Sequence, residues 1–335
     1  MKKKPRVLFL DCDDLLNYIN LNKRNYKFYS FKNIQLLNLF KSFQLKDLTI
    51  TKFKENYFKE IIKKYKPDIV VGHDINLRAV QAKKLFPNII TITYQFSFLR
   101  NESRFKKLNI KKKLSTDYFI CFSNFDFKIV NKYFKAKFII SGSLRNNMAN
   151  KQNLKKKAKM LNYISEYSEN IKNKNYEKKI LLILKNFCLK NKYLLNISLR
   201  SKRSDKSMNK ENEINFYKAI LGDNFKTLDY DNYSIGEKSL VNICKKSNLG
   251  FELIARNKKV IFLPNNKQFI KDKNLYFKKN KSEILETSGE YKKINYKLKR
   301  LIKCSSKNFK IIVDKSIHKI PYKKNCFTKL LKDIK

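Results

Sequence analysis

The stretch from Ser247 to Glu252 carries residue types that could bind a phosphorylated ribose. Ser247 and Asn248 form a polar turn, Gly250 opens a helical pattern, and Glu252 falls in the first turn of that helix. The N–H groups and the dipole of a helix start favour a phosphate, and a carboxylate beside them can accept both hydroxyls of a ribose. The alternative is a glutamate that only stabilises its own helix. We expect the helix to stop at Asn257, because asparagine tolerates the left-handed C-cap conformation.

Glycine is scarce, with six residues in 335, so each one is expected to hold a backbone geometry that other residues do not tolerate. Gly72 and Gly142 each follow an apolar run typical of a buried strand. Open α/β sheets bind ligands at the carboxyl ends of their strands. The turn that begins at Gly142 continues with Ser143, Arg145 and Asn146. We predict that this turn contacts a ligand, with an ordinary solvated turn as the alternative.

His73 is one of two histidines and lies in the sequence Val-Gly-His-Asp, at the predicted end of a strand. Imidazole is the side chain best suited to accept a proton near neutral pH. Asp74 is close enough along the chain to orient the ring. We therefore predict that His73 is a catalytic base, supported by Asp74. A histidine that only caps a helix or fills a loop is the alternative.

Two cations follow another predicted strand, over 193–199. Arg200 and Lys202 would emerge from its carboxyl end, where they suit the phosphates of a ligand, and an arginine can bind a phosphate through two hydrogen bonds. A solvated basic loop is the alternative, since the chain has many of them.

Asp11 and Asp13 form a competing motif. They follow the apolar run 7–10, and a strand that ends in Asp-x-Asp resembles the opening of haloacid-dehalogenase-like phosphatases, in which the first aspartate is the nucleophile and Mg²⁺ lies between the two. It also resembles the metal-binding Asp-x-Asp of GT-A transferases. The phosphatase pattern needs Thr or Val where Leu15 stands, and it needs a later acidic pair that this sequence lacks. Phosphatase chemistry is therefore kept as an alternative.

Short apolar strands alternate with helical patterns along the first 145 residues, which is typical of a parallel sheet covered on both faces. The predicted strands are 7–10, 68–71, 89–94, 118–122 and 138–141, and the predicted helices are 31–43, 56–65, 77–86 and a segment ending at Tyr133. A second set follows, with helices over 177–190, 211–221, 249–256 and 327–334, and strands over 193–199, 226–228, 260–263 and 311–313.

These elements predict a first Rossmann-like lobe over 1–147 and a second over 177–325. Residues 148–176 are rich in Lys, Asn, Ser and Glu and contain no Gly or Pro, so we predict a helical connector there. Residues 326–335 are predicted to form a closing helix that packs back onto the first lobe. Two such α/β halves describe an enzyme with a cleft between its lobes.

The net charge is +49, from 77 Lys and Arg against 28 Asp and Glu. The chain also has no Trp, 6 Gly and 5 Pro beside 26 Phe and 19 Tyr, a bias that an AT-rich genome produces in any protein. We therefore give the net charge about half of its face value as evidence of function. The remainder indicates a surface attracted to anionic lipid, nucleotide or nucleic acid.

A basic binding protein for single-stranded nucleic acid is a second alternative. Abundant Phe and Tyr could stack on bases while the cations neutralise phosphates. No ribonucleoprotein-type aromatic motif is present, however, and the basic residues are spread evenly along the chain. We therefore expect no nucleic-acid partner.

Six cysteines without a C-x-x-C pair indicate reduced thiols, and the longest apolar runs are far shorter than the roughly 20 residues that span a bilayer. Asp11 ends the first apolar run too early for a signal peptide. We expect a soluble, cytoplasmic protein with possible peripheral contact with anionic membrane at the inner face. Phe105, Leu108 and Leu114 lie among six cations over 104–114, and we favour an ordinary helix there over a membrane-surface patch.

The Ser247–Pro264 stretch resembles the donor-binding element of GT-B-fold glycosyltransferases. Together with Gly142-Ser-Leu-Arg-Asn-Asn147 and Gln95-Phe-Ser-Phe-Leu-Arg-Asn101, it resembles bacterial surface-carbohydrate (O-antigen or capsule) biosynthesis proteins. These proteins are similar, at a distance, to CDP-glycerol glycerophosphotransferases, which carry a similar Gly-Ser-x-Arg-Asn turn.

The resemblance implies two Rossmann-like lobes in the GT-B arrangement with an interlobe cleft, the first lobe on the acceptor side and the second binding the donor. It implies metal-independent transfer of a sugar, or a related group, from a nucleotide-sugar donor to a surface polysaccharide or a lipid-linked glycan, with no cofactor. Glu252 would hold the donor ribose, and Ser247, Asn248 and Gly250 would face its diphosphate.

Overall fold

The computed structural model describes residues 4–11, 15, 26–31, 50–98, 105, 112–149, 159–167, 171–200, 209–265, 276–278 and 282–334. The predicted helix over 31–43 lies almost entirely outside these residues, as do Asp13 and Lys202. The described chain forms two compact units. The first contains the chain up to Phe98, continues to Met148 and takes in the last residues from Lys323, and the second runs from Ala149 to Tyr322.

The first unit is built on a parallel sheet with the strand order β2-β1-β3-β4-β5-β6. Its strands are β1 (Arg6–Leu10), β2 (Lys27–Phe31), β3 (Ile69–His73), β4 (Ile90–Tyr94), β5 (Leu114–Cys121) and β6 (Phe134–Ile140). The helices between them are α1 (Ile50–Tyr65), α2 (Arg78–Leu85), α3 (Asn124–Val130) and α4 (Leu144–Met148).

Both faces of this sheet are covered, as the continuous apolar runs predict. Val7 and Phe9 of β1 pack in one hydrophobic cluster, and Leu8 and Leu10 pack in another. All four side chains are buried. Successive residues of a strand point to opposite faces, so a strand that is apolar at every position needs a core on each side.

The helix α11 (Cys326–Asp333) belongs to the first unit although it lies at the end of the chain. The ring of Phe327 packs against that of Phe9, with ring centroids 6.1 Å apart. The hydroxyl of Tyr26 donates a hydrogen bond of 2.9 Å to the carbonyl of Leu331. The last helix therefore completes one face of the first sheet.

The second unit has a parallel sheet with the order β10-β9-β7-β8. Its strands are β7 (Met160–Ile164), β8 (Leu194–Ser198), β9 (Val241–Cys244) and β10 (Val260–Phe262). Its helices are α5 (Ile171–Asn191), α6 (Lys210–Leu221), α7 (Asn232–Lys238), α8 (Asn248–Ala255), α9 (Tyr291–Lys303) and α10 (Ser306–Ser316).

Three buried asparagines lie side by side across this sheet. Asn162 in β7 is in register with Asn196 in β8 and with Asn242 in β9. The Asn196 amide donates to Asn162 Oδ1 (2.8 Å), and the Asn162 amide donates to Asn242 Oδ1 (2.9 Å). Each amide thus has a partner inside the sheet, which offsets the cost of removing it from water.

The sequence-based prediction of a helical connector over 148–176 is wrong. A central strand, β7, lies within this segment, all five of its residues are buried, and α5 already begins at Ile171. The abundance of polar residues suggested a solvated segment, whereas the asparagine within β7 is satisfied by its neighbours in the sheet. The segment therefore supplies the central part of the second sheet.

The strand predicted over 311–313 is also wrong, because these residues lie within helix α10. The β-branched sequence Ile-Ile-Val favours a strand. In the structure Phe309 and Ser316, seven residues apart, are buried on one side of the helix, whereas Ile311 is exposed. Helical packing of Phe309 therefore outweighs the local preference.

No helix in the described part of the chain combines the length and the apolar character that crossing a bilayer requires.

Candidate functional site

In the first unit, His73 lies at the carboxyl end of β3, and its ring nitrogens have defined surroundings. Nδ1 accepts hydrogen bonds from the backbone N–H groups of Ile75 (3.1 Å) and Asn76 (3.3 Å). Nε2 lies 3.3 Å from the side-chain amide nitrogen of Asn76. Contacts within the turn after β3 thus hold the ring in place, and the role of His73 as a catalytic base stays a prediction.

Phe96 brings three of the predicted residues together. Its ring lies 5.0 Å from the ring of His73 and 4.8 Å from the Arg145 guanidinium. Arg145 also donates to the Phe96 carbonyl (3.2 Å). The buried carboxylate of Asp74 accepts from the Phe96 N–H (3.0 Å). Asp74 therefore positions Phe96, and Phe96 in turn packs between the imidazole and a cation.

Gly142 has a φ of 84°, so the prediction that this scarce glycine holds a special backbone geometry is confirmed. The side chains of Ser143 and Asn146 in the same turn are buried. Asn147 donates to the Ser141 carbonyl (2.8 Å). Arg145 is the half-buried member of this turn, and its contact with a ligand stays a prediction.

Gly72 is required for a different reason, because a Cβ atom there would lie 3.0 Å from the backbone nitrogen of Ala79. It allows β3 to approach helix α2 closely. Asp11 lies at the neighbouring end of β1, and its Oδ2 accepts from the Asn76 amide (2.9 Å) and lies 3.5 Å from Arg78 Nε. Asp11 thus joins the ends of two strands. The phosphatase alternative also needs Asp13, which lies outside the described residues.

In the second unit, Ser247 is the N-cap of helix α8, and its hydroxyl accepts from the Leu249 N–H (3.3 Å). The Gly250 N–H donates to the Ser247 carbonyl (3.1 Å). The helix starts at Asn248, one residue earlier than predicted, and Asn257 follows its end with a φ of 58°, which confirms the left-handed conformation expected there. The Leu249 and Gly250 N–H groups therefore already have hydrogen-bond acceptors within the turn.

The structure gives Gly250 a packing role. A Cβ atom on this residue would lie 2.6 Å from Cys244 Sγ and 3.0 Å from Phe262 Cε1. Helix α8 can therefore lie close to β9 and β10 only without a side chain here. The sequence had suggested a phosphate as the reason for this glycine.

Replacing Gly250 with alanine is expected to reduce the free energy of unfolding by about 1–3 kcal/mol, the range for overpacking a core. Urea denaturation of the full chain measures this change. Gly236→Ala is a parallel case, because a Cβ on this helical glycine would lie 2.6 and 2.7 Å from the methyl groups of Leu253 and 3.2 Å from Asn242 Oδ1, so we expect it to destabilise the protein as well. An unchanged free energy of unfolding in Gly250→Ala would contradict the packing role.

Glu252, the predicted ribose ligand, is 4% exposed, and its Oε2 accepts from the Tyr233 hydroxyl (2.8 Å). One helical turn later, Arg256 forms a 2.5 Å ion pair with Glu237. Its guanidinium lies between the rings of Tyr233 (4.8 Å) and Tyr322 (5.0 Å). The Glu252 carboxylate is thus held in a fixed, largely covered position.

Arg200 lies just beyond the end of β8 and is half buried. Its guanidinium donates to the Tyr167 carbonyl (3.0 Å), and its backbone N–H donates to Glu213 Oε1 (2.8 Å). These contacts fix the cation at the carboxyl edge of the second sheet, where the sequence predicted it.

The sequence analysis did not identify two buried glutamates at this edge, Glu177 and Glu213. The Ser165 hydroxyl donates to Glu213. The Tyr217 hydroxyl lies 2.6 Å from Ser165 Oγ and 2.9 Å from Glu177 Oε1. The contacts form a continuous chain from Arg200 to Glu177, which we call the Glu213–Glu177 network. With only 28 acidic residues in the chain, their scarcity is the signal that could have drawn attention to them.

Glu177 is the most heavily bonded member of this network. It accepts from the Tyr163 hydroxyl (3.0 Å) and forms a 2.6 Å ion pair with Lys245, two residues before Ser247. Burial raises the pKa of Tyr163 and of Tyr217 well above the ordinary value, and the charge of Glu177 raises both further. The two tyrosines therefore stay protonated at neutral pH and continue to donate.

The predicted residues thus fall into two groups, each at the carboxyl edge of a parallel sheet. His73, Asp74 and Arg145 surround Phe96 in the first unit, and Arg200 is connected to Lys245 beside the Ser247 turn in the second. Among the described residues, no group of three or more His, Cys, Asp and Glu side chains is placed to hold a metal ion. Phe105 is fully buried against Phe134, which agrees with the inward-packing interpretation of its segment.

Solved structures show the same fold over the whole chain. The UDP complex of S. aureus MnaA has a TM-score of 0.61 at 12% identity, with 98% of this chain and 96% of that chain covered. The Neisseria meningitidis UDP-GlcNAc 2-epimerase bound to UDP-GlcNAc has a TM-score of 0.58 at 12% identity, with 99% of each covered. The glycotransferase of kitacinnamycin has a TM-score of 0.51 at 9% identity, with 93% and 95% covered.

These similarities confirm the predicted fold class, an α/β protein with two Rossmann-like units of the GT-B kind. A family model described as "putative O-antigen biosynthesis protein" matches residues 97–292, more than half of the chain. The protein belongs to this family of surface-carbohydrate biosynthesis proteins. No curated protein matches its sequence.

Proposed function

We propose that this protein is an enzyme that transfers a sugar from a nucleotide donor to a glycan or lipid-linked acceptor during the synthesis of O-antigen or a related surface polysaccharide. The observation that carries the proposal is the polar carboxyl edge of the second sheet, where the Glu213–Glu177 network holds Arg200 and Lys245 near the Ser247 turn. Membership of the O-antigen family and the fold shared with nucleotide-sugar enzymes support it. The distant similarity to CDP-glycerol glycerophosphotransferases stays a prediction.

The proposed donor site follows from charge. When a sugar leaves a nucleoside diphosphate, negative charge develops on the leaving diphosphate, and fixed cations lower the energy of that state. Arg200 is fixed by its bonds to Tyr167 and Glu213, and we assign Lys202 and Asn248 to the same diphosphate. Glu252, held by Tyr233, is assigned to the ribose hydroxyls.

The proposed acceptor site is the Phe96 group of the first unit. A hydroxyl of the acceptor forms a bond to the anomeric carbon while the bond from that carbon to the diphosphate breaks, and the hydroxyl proton passes to the imidazole of His73. The guanidinium of Arg145 is a donor that would orient the acceptor oxygens. The turn of Gly142, Ser143 and Asn146 holds Arg145 in place.

A thermal-shift screen with UDP, CDP, GDP and CMP tests the donor site. Ligand at 100 times its Kd adds about 2.7 kcal/mol of stability, which corresponds to a rise of several degrees in Tm. We expect one of the four to produce this rise, and Glu252→Gln to abolish most of it.

Tyr233→Phe is the control for this screen, since it removes the partner of Glu252 and leaves the carboxylate in place. It is expected to lower Tm without ligand but to keep at least half of the ligand-induced rise. If Glu252→Gln keeps the full rise, the ribose assignment is wrong, and if no nucleotide stabilises the protein, the donor proposal fails.

UDP-GlcNAc 2-epimerisation is the second candidate, because solved structures that match nearly the whole chain include such epimerases. The two reactions differ in their requirements. Epimerisation at C2 breaks the C2–H bond and needs no acceptor, so incubation with UDP-GlcNAc in D₂O would introduce deuterium at C2. Transfer would leave UDP-GlcNAc unlabelled and would release UDP in proportion to added acceptor.

A further inference from the structure

The exposed apolar side chains of the second unit are concentrated on two neighbouring helices. Seven large apolar residues are exposed in the described part of the chain, and four of them lie on α5 and α9. They are Leu182 (39% exposed), Leu189 (55%), Tyr291 (45%) and Tyr296 (59%). The other three are in three separate segments, as is ordinary for single surface residues.

The two helices share a surface groove. A cavity of about 470 Å³ is lined by Leu182, Ile183 and Asn186 of α5 and by Tyr291 and Lys292 at the start of α9. We call the outward faces of these helices, with this groove, the α5–α9 surface.

Cations surround the apolar residues on each helix. On α9, Tyr296 lies at the centre of the outward face, because Ile294, Leu298 and Leu301 are buried on the opposite side. The positions three, four and seven residues away share the face of Tyr296. Those positions are Lys292, Lys293, Lys299, Arg300 and Lys303.

Helix α5 repeats this arrangement. Leu182 and Leu189 are seven residues apart and therefore lie on one face. Lys178, Lys179 and Lys185 lie three or four residues from Leu182 on that face. Leu182 thus has ammonium groups within reach on either side, and Lys185 also lies four residues before Leu189.

Acidic residues balance only a small part of this charge. Glu290 pairs with Lys293 (2.7 Å), and Glu283 pairs with Arg300 (2.8 Å). The other cations of the α5–α9 surface have no ion pair with an acidic side chain in the residues that the structure describes. The surface therefore combines exposed apolar groups with a net positive charge.

We propose that the α5–α9 surface binds an anionic lipid bilayer. Tyrosine and leucine gain free energy by entering the boundary between headgroups and acyl chains, while lysine side chains keep their ammonium groups at the phosphate level. Each lysine near an anionic membrane adds further attraction. This proposal is independent of the enzyme activity, and it would place an enzyme of surface-glycan synthesis beside lipid-linked material.

Charge alone does not select this surface, because cations cover the whole molecule. What distinguishes this surface is that four exposed apolar side chains lie on two neighbouring helices. A nucleic acid would be attracted by the lysines and could stack on the two tyrosines, but it offers no apolar surface to Leu182 and Leu189. A bilayer offers acyl chains to the leucines and tyrosines and anionic headgroups to the lysines.

The experiment is sedimentation of the full chain with vesicles of phosphatidylcholine, with and without about one third phosphatidylglycerol. Binding is expected only to the anionic vesicles. The variant Lys292→Glu/Lys299→Glu/Lys303→Glu is expected to weaken it at least tenfold. The control Lys84→Glu/Lys128→Glu/Lys135→Glu changes the net charge equally on exposed residues of the first unit and is expected to weaken it less than threefold.

A second variant, Leu189→Ser/Tyr296→Ser, tests the apolar contribution and is expected to abolish the binding that remains at high salt, where charge attraction is screened. Circular dichroism and Tm verify that each variant is folded. Equal loss in the two lysine variants would overturn the proposal, as would absence of binding to anionic vesicles. Displacement of the vesicles by single-stranded RNA through the same residues would also overturn it, in favour of a nucleic-acid surface.

Discussion

Replacing Glu177 with alanine is expected to reduce the free energy of unfolding by about 3–5 kcal/mol, the range for removing one partner of a buried ion pair. Glu177 is 1% exposed and lies 2.6 Å from Lys245 Nζ, while two tyrosine hydroxyls face its other oxygen. The substitution leaves the ammonium group and both hydroxyls without this acceptor. Because Tyr163 and Tyr217 have raised pKa values, neither can lose its proton to compensate.

Urea denaturation, followed by hydrogen exchange of amides in β7 and α5, measures this loss in the unit concerned. Glu290→Ala is the matched control, because it removes an exposed carboxylate that is also paired with a lysine at 2.7 Å. It is expected to leave the denaturation midpoint nearly unchanged. The double variant Glu177→Gln/Lys245→Met should cost less than the sum of its single changes, since the two residues interact directly. A loss in Glu177→Ala no larger than in the control would contradict a structural role for the network.

The same network shows what the sequence could predict and where it could not. The strands of the first unit follow from apolar runs such as Val7–Leu10, which only a sheet with two covered faces can bury. The strand β7 did not follow, because Asn162 interrupts its apolar pattern. That asparagine is acceptable only because Asn196 and Asn242 lie beside it in the sheet. Strand pairing is long-range information that a single segment does not contain.

The candidate site was predictable in its location and unpredictable in its contacts. Glycines and polar residues after apolar runs indicated the carboxyl edges of both sheets. The partner of Glu252 is Tyr233, nineteen residues earlier in the chain. Ser165 and Glu213 are forty-eight residues apart and meet only because α6 packs beside the end of β7. The contacts of the His73 ring come from two backbone N–H groups and the Asn76 amide, whose directions only the folded turn defines.

Replacing His73 with asparagine is expected to reduce turnover of the nucleotide sugar by roughly 10²- to 10⁴-fold, the usual range for a positioned proton-transferring or hydrogen-bonding side chain. The Oδ1 atom of an asparagine can accept from N–H groups two and three residues later, so it can replace Nδ1 as the partner of Ile75 and Asn76. What the substitution removes is Nε2 and the ring that packs on Phe96.

His73→Asn therefore distinguishes a catalytic role of the imidazole from a purely capping role, the two alternatives that the sequence left open. His73→Ala, the comparison, removes the cap as well and should lower Tm, whereas His73→Asn should keep a Tm close to that of the wild type. Both variants should retain the Tm rise caused by the nucleotide that the thermal screen selects, because the donor site is assigned to the second unit. Turnover is measured as release of the nucleoside diphosphate, or as deuterium gained at C2 if the enzyme is an epimerase. If His73→Asn retains full turnover in both assays, the imidazole only caps the turn after β3, and the chemistry of the first unit must then be assigned to Arg145 and the groups around Phe96.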